Sequence, residues 1–142
     1  MNYESNTLYT FVVGGGAASV AFLLGGIDSL IKALAIFMIV DFALGVAVGS
    51  KSDKVNSKRG FKGLMKKGAM ITLVIVSNQL DMIAGSGDAQ FLRNAMIMFL
   101  IAIEGISITE NAAMLGVPVP KFLSDRLEQL RNVSEKGKDE VE

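Results

Sequence analysis

Four apolar stretches, each close to twenty residues long, constrain what this chain can fold into more than any other feature. They are "YTFVVGGGAASVAFLLGGI" at about residues 9–27, "LIKALAIFMIVDFALGVAVG" at 30–49, a third at 66–84 that includes "GAMITLVIVSNQLDMIAG", and "FLRNAMIMFLIAIEGISIT" at 91–109. A helix of about 20 such residues crosses a hydrocarbon layer about 30 Å thick. None of the four alternates like a barrel strand. The first and third lack the polar stripe of a soluble amphipathic helix. The pattern predicts an all-α integral membrane protein with about four transmembrane helices in two hairpins. Gly25 and Gly26 end the first helix and Asp28 or Ser29 caps the second, while "GSGDAQ", with Asp88 as a cap, joins the third and fourth. The first stretch reads as a retained span, because the first ten residues of the chain hold Glu4 and no cation, unlike a secretory signal.

Charge is segregated as sharply as hydropathy. Seven of the fourteen Lys and Arg residues lie in "KSDKVNSKRGFKGLMKK", residues 51–67, against the single acid Asp53. Cytoplasmic loops next to spans carry such an excess. A basic loop at residues 50–65 therefore faces the cytoplasm, and with four spans both termini face it too. Lys51, Lys54, Lys58, Arg59, Lys62 and Lys66 are the orientation residues, resting on anionic lipid headgroups. A nucleic-acid partner is not expected, since Phe61 is the loop's lone aromatic. The spans and this loop make a transmembrane domain of residues 1–116. A cytoplasmic tail of residues 117–142 follows. It begins with two prolines, continues as an amphipathic helix with Phe122, Leu123, Leu127 and Leu130 on its apolar face, and ends in a charged, disordered segment.

Composition removes most enzyme chemistry. With no His and no Cys in 142 residues, zinc sites built on those ligands, Cys nucleophiles and Ser-His-Asp triads cannot form within one chain. No metal, cofactor or catalytic residue is expected. A formal net charge of zero also argues against a general binder of polyanions.

The residues that stand out are polar groups placed where lipid should be. Asp41 and Glu104 fall inside spans, slightly to the cytoplasmic side, where a carboxylate costs about 2.5–3.5 kcal/mol on insertion scales. Each needs protein or water around it, and Lys66 and Lys67 approach from the same side as partners. Glu104, Ser107 and Asn111 share one helical face, and Asn78 and Asp81 give the third span a polar end. Lys32 and Arg93, near the outer face, are expected to snorkel. Small residues supply close-packing faces: Gly14 with Ala18, the ladder Ala17, Ala21 and Gly25, and Gly45 and Gly49 on the face of Asp41.

Taken together, "DFALGVAVG", "SKRGFKGLMKKG", "NQLD" and "FLRNAMIMFLIAIEGISITENAAMLGVPVPKFL" resemble the small phage-lysis and toxin-secretion holins of Gram-positive bacteria and their phages. Asp41, Gly45, Gly60, Lys62, Gly63, Lys67, Asp81, Glu104, Glu110, Asn111, Pro118 and Pro120 sit at that family's recognisable positions. The resemblance implies a homo-oligomer in the bacterial cytoplasmic membrane that opens lesions at a set time. A cytoplasmic endolysin or toxin, with which no stable contact is expected, then escapes and the host cell lyses. An alternative is a small four-span ion channel or proton-coupled transporter, which intramembrane carboxylates would suit. The first span, however, carries no acid, and the halves show no inverted repeat. A three-span arrangement is the variant in which one stretch lies in the interface.

Overall fold

The computed structural model describes residues 3–51, 57–85, 89–123, 125–126 and 128–129, and among these no residue is in a β-strand. Among the described residues four long helices follow one another: α1 (Tyr3–Leu23), α2 (Ser29–Lys51), α3 (Ser57–Ile83) and α4 (Phe91–Met114). The second and fourth predicted apolar stretches lie within α2 and α4, whereas the first runs past the end of α1 at Leu23 into the turn and the third passes the end of α3 at Ile83 by one residue. By length and apolarity, α2 and α4 qualify as membrane spans, and Val12–Leu23 of α1 is a shorter apolar helix. α3 differs because its first eleven residues, 57–67, carry five cations.

Local chemistry explains the ends. α1 stops in a Schellman turn, with Gly25 N–H donating to Phe22 O at 3.0 Å and Gly26 N–H to Ala21 O at 2.8 Å. Gly25 and Gly26 take positive φ, 73° and 103°, which only glycine adopts cheaply. α4 ends the same way, through Gly116 (φ 91°) and the Val117 N–H to Ala112 O bond of 3.0 Å. Asp28 caps α2 as its position predicts: its Oδ1 accepts the Ile31 N–H at 3.0 Å. Asp88 lies outside the described residues.

Two expectations need correction. The segment 50–65 is not a loop throughout, since residues 50–51 complete α2 and 57–65 begin α3. Lys and Arg are good helix formers, and they outweigh Gly60 and Gly63. The first two helices also do not pack as a close hairpin. α2 lies mainly along α4, α4 also packs on α3, and α1 makes few contacts, chiefly with α3. The small face of α1 is thus open, with Gly14, Ala17 and Ala18 exposed and Ala21 half-buried.

The core is a three-helix seam. Ile31, Leu34 and Met38 of α2 meet Met70 and Val74 of α3 and Ile97 and Leu100 of α4. Their spacing of three and four residues keeps each set on one face of its helix. Outside the seam the helices present Val12, Val20, Phe22, Ile36, Ile39, Leu73, Val76, Leu80 and Met98, each at least 45% exposed. So large an apolar exterior is foreign to a soluble monomer and suits lipid. Hydroxyl groups on these helices bond back to their own backbone, as Ser19 does to Gly15 O at 2.9 Å and Thr72 to Gly68 O at 3.0 Å. Such bonds satisfy the hydroxyls in a solvent that offers no hydrogen bonds.

Beyond Pro120 the described residues return to helix, with Phe122 and Leu123 exposed. Leu127, Leu130 and the charged end of the tail fall outside the described residues.

Candidate functional site

The seam that is apolar in its middle is charged at both ends. Moving along α3 from Val74 toward its start, the next inward position after Met70 is Lys67. Its Nζ lies 2.9 Å from Asp41 Oδ2 on α2 and also donates to Glu104 Oε2 on α4. Asn111, two turns beyond Glu104, donates from Nδ2 to Asp41 Oδ1 at 3.1 Å. Three helices are therefore joined through one ammonium group. Glu104 is 1% exposed, Lys67 13% and Asp41 16%. Two carboxylates face one cation, so the formal count is one negative charge in excess. Ser107 is half-buried one turn beyond Glu104, and Gly45 lies opposite Asn111, where a Cβ would come within 3.9 Å of its Nδ2.

Of the two lysines that the sequence offers as partners, only Lys67 turns inward. Lys66 is exposed, as are Lys51, Lys58 and Lys62. A helix turns 100° between consecutive residues, so adjacent lysines cannot share a face. Arg59 lies in α3, and Lys54 is outside the described residues. Gly49 is half-buried near the end of α2.

The opposite end is built around Arg93, and here the structure overturns an expectation. Rather than snorkelling, Arg93 is fully buried. Its Nε donates to Leu24 O, its Nη2 to Gly26 O at 3.0 Å, and its Nη1 to Asp28 Oδ2 at 2.7 Å and Asn94 Oδ1 at 3.0 Å. The physical reason is the α1–α2 turn, whose reversed carbonyls would otherwise point into the bundle without donors. A planar guanidinium matches several acceptors at once, which a snorkelling ammonium does not. The same turn receives Asn78 Nδ2 on Leu23 O at 3.1 Å and Gln90 Nε2 on Gly25 O at 2.8 Å.

Asp81 belongs to this end and not to the Lys67 cluster. Its two carboxylate oxygens accept the N–H groups of Leu92 (3.1 Å) and Arg93 (2.8 Å). It thereby caps α4, whose own N-cap residue, Gln90, makes no side-chain cap. The Arg93 guanidinium beside Asp28 holds the Asp28 carboxyl below its ordinary range; partial burial works against this and the Ile31 N–H adds to it. Arg93 was missed as a site residue by hydropathy. The available signal was two acids, Asp28 and Asp81, in or beside the turns at its own end of the bundle.

Among the described residues no three His, Cys, Asp or Glu side chains gather as a metal site. What the two ends can do chemically is hold helices by charge and hydrogen bonds, and release them when those bonds are exchanged.

Comparison with known proteins bears on that behaviour. The profile described as the Bacteriophage holin family matches residues 18–132. A protein of Clostridium perfringens, itself uncharacterised, is 40% identical over 110 residues, covering 78% of this chain and 81% of its own. An uncharacterised Listeria monocytogenes protein is 36% identical over 115 residues, 81% of each chain. The "Probable holin" of Bacillus phage phi105 is 35% identical over 107 residues, 75% of this chain and 77% of the phage protein. No solved structure matches.

Proposed function

The chain belongs to the bacteriophage holin family, and from that premise we propose that it oligomerises in the bacterial cytoplasmic membrane and opens timed lesions. A cytoplasmic endolysin, or a toxin, then leaves through them. In this reading all four helices cross the bilayer and both termini are cytoplasmic, an orientation supported by the basic residues at the end of α2 and the start of α3. No step of it is catalytic.

The observation that carries the proposal is the pairing of Asp41, Lys67, Glu104 and Asn111 inside an apolar exterior. A chain arranged this way shows lipid its apolar side chains and hides a polar set that could line water. Separating α2, α3 and α4 would expose that set, and neighbouring chains could satisfy it in turn. The open small face of α1 gives other copies a place to approach. Loss of membrane potential is the trigger that the family resemblance implies. Asp41 and Glu104 lie within the field, where moving one full charge across 100 mV is worth about 2.3 kcal/mol.

The test is induced expression together with a cytoplasmic muralytic enzyme that has no export signal, following culture turbidity. Abrupt lysis that requires both proteins supports lesions large enough for a folded enzyme. Loss of potential without enzyme escape would overturn the proposal and leave a small channel.

A further inference from the structure

The start of α3 carries a surface that the lysis reading uses only for orientation. Residues 57–67 contain five cations and no acid. At 1.5 Å per residue they extend α3 by about 15 Å before its apolar part begins at Gly68. One cation, Lys67, is spent inside the bundle on Asp41 and Glu104. Lys58, Lys62 and Lys66, at i, i+4 and i+8, form an exposed ridge along the helix. Beside it, Phe61, Leu64 and Met65 form a second ridge, 64%, 61% and 60% exposed.

A cationic ridge next to a bare apolar one is poorly matched to water and to a polar protein surface alike. It matches a boundary whose outer layer is anionic and whose inner layer is hydrocarbon. The sequence also limits the choice of anion, since a single aromatic gives nucleic-acid bases no stacking series. Continuity adds to the fit, because the ridge runs straight into the apolar part of the same helix. We infer that Lys58, Lys62 and Lys66, with Phe61, Leu64 and Met65, form a binding face for anionic phospholipid headgroups. The phosphates lie along the lysines and the three apolar side chains sink below them. Lipid composition would then act on the helix that carries Lys67, and so on the cluster that joins α2, α3 and α4.

The chain has no tryptophan, so Phe61→Trp places a unique fluorophore on this face. The full-length variant is reconstituted in phosphatidylcholine vesicles in which either the phosphatidylcholine or an added phosphatidylglycerol is brominated to quench it. The expected result is stronger quenching by the brominated anionic lipid at equal mole fraction. Each Lys→Gln change should lower that preference by up to about fivefold, the equivalent of about 1 kcal/mol per near-surface cation. Changing Lys58, Lys62 and Lys66 together to Gln should abolish it, while changing them to Arg should keep it. A Phe91→Trp reporter at the far end should show no preference. Equal quenching by the two lipids would overturn the inference, as would quenching by neither, which would put the face in water. A preference that survives the triple Gln variant, or that inorganic phosphate removes, would also overturn it. Because the readout is lipid contact and not lysis, it stands or falls separately from the proposed function.

Discussion

Asp81, in the last turn of α3, accepts the backbone N–H of Arg93 at 2.8 Å and that of Leu92 at 3.1 Å, so the first turn of α4 is capped from a different helix. The cap is thus also a bond between α3 and α4. Asp81→Ala removes both and leaves two donors unmet in a buried place, at a cost of about 2 kcal/mol. Asp81→Asn keeps one acceptor and should fall between. Thermal unfolding of the detergent-solubilised chain, followed by circular dichroism, gives the order: wild type, Asn, Ala. Identical midpoints would mean that the cap carries no stability.

Arg93 should resist even conservative change. Lys at this position keeps the charge but cannot reach Leu24 O, Gly26 O and Asp28 together, so buried carbonyls lose their donors at about 1–3 kcal/mol each. The expected signature is faster hydrogen exchange at the α1–α2 turn and in the first turn of α2, with the α4 middle less affected. Wild-type protection in Arg93→Lys would show that a single ammonium suffices.

The two glycines of that turn should differ. A Cβ on Gly25 would meet Asn78 Oδ1 at 2.3 Å and Arg93 Nε at 2.9 Å, whereas one on Gly26 meets nothing within 4 Å. Both substitutions strain a positive φ, but only Gly25→Ala also displaces the donors that hold the turn. Its loss of thermal stability should exceed that of Gly26→Ala by about 1–3 kcal/mol, the cost of overpacking. Equal losses would assign the effect to backbone strain alone.

Acid should expose the Asp28–Arg93 pair. Arg93 lowers the folded-state pKa of Asp28 below its ordinary 3.8, so the unfolded state binds the proton more readily. The stability from this pair is fully present above about pH 4 and is lost as pH falls through the lowered folded value. Asp28→Asn should remove that part of the acid dependence and leave the slope above pH 5 unchanged. Stability curves of the two proteins that stay parallel down to pH 2 would contradict this.

The Lys67 cluster makes an asymmetric prediction. Lys67→Met leaves Asp41 and Glu104 without a cation, and breaking a buried pair in this way costs about 3–5 kcal/mol. Glu104→Gln leaves one acid facing one base and should be milder. Folded protein recovered from membranes should fall in the order wild type, Glu104→Gln, Lys67→Met, with the double variant better than Lys67→Met alone. In the lysis assay, Asp41→Asn and Glu104→Gln should shift the time of onset. Unchanged timing would remove them from any sensing role.

Much of this architecture can be read from residue patterns, and the failures share a cause. Block lengths give the four helices, and Gly25, Gly26 and Asp28 give the first turn, because each reflects a local backbone demand. Asp41 and Glu104 stand out because lipid penalises them wherever they sit. Arg93 is different. Its partners are carbonyls that become acceptors only when the α1–α2 turn folds against α3 and α4, and no local signal encodes that meeting. Asp81 stands out as a polar residue, but its role is hidden likewise, since a cap drawn from another helix breaks the contiguous cap pattern. The choice between Lys66 and Lys67 needed the rotational phase of α3, which the glycines at 60 and 63 obscure by imitating a loop.

The seam through α2, α3 and α4 has one more consequence. Leu34, Val74 and Leu100, at its apolar middle, are at most 1% exposed, and both ends are held by ion pairs and hydrogen bonds. The middle of the seam in one chain is filled by these apolar side chains, which offer an ion no polar group to follow. In the proposed lesion-forming role, copies would then build up without leaking the membrane's stored voltage. The clasp at Lys67 joins α2, α3 and α4, and the clasp at Arg93 joins α3 and α4 to the α1–α2 turn, so opening one still leaves the other fastened. In that proposed role, such doubled fastening would favour long silence followed by abrupt failure over a gradual leak.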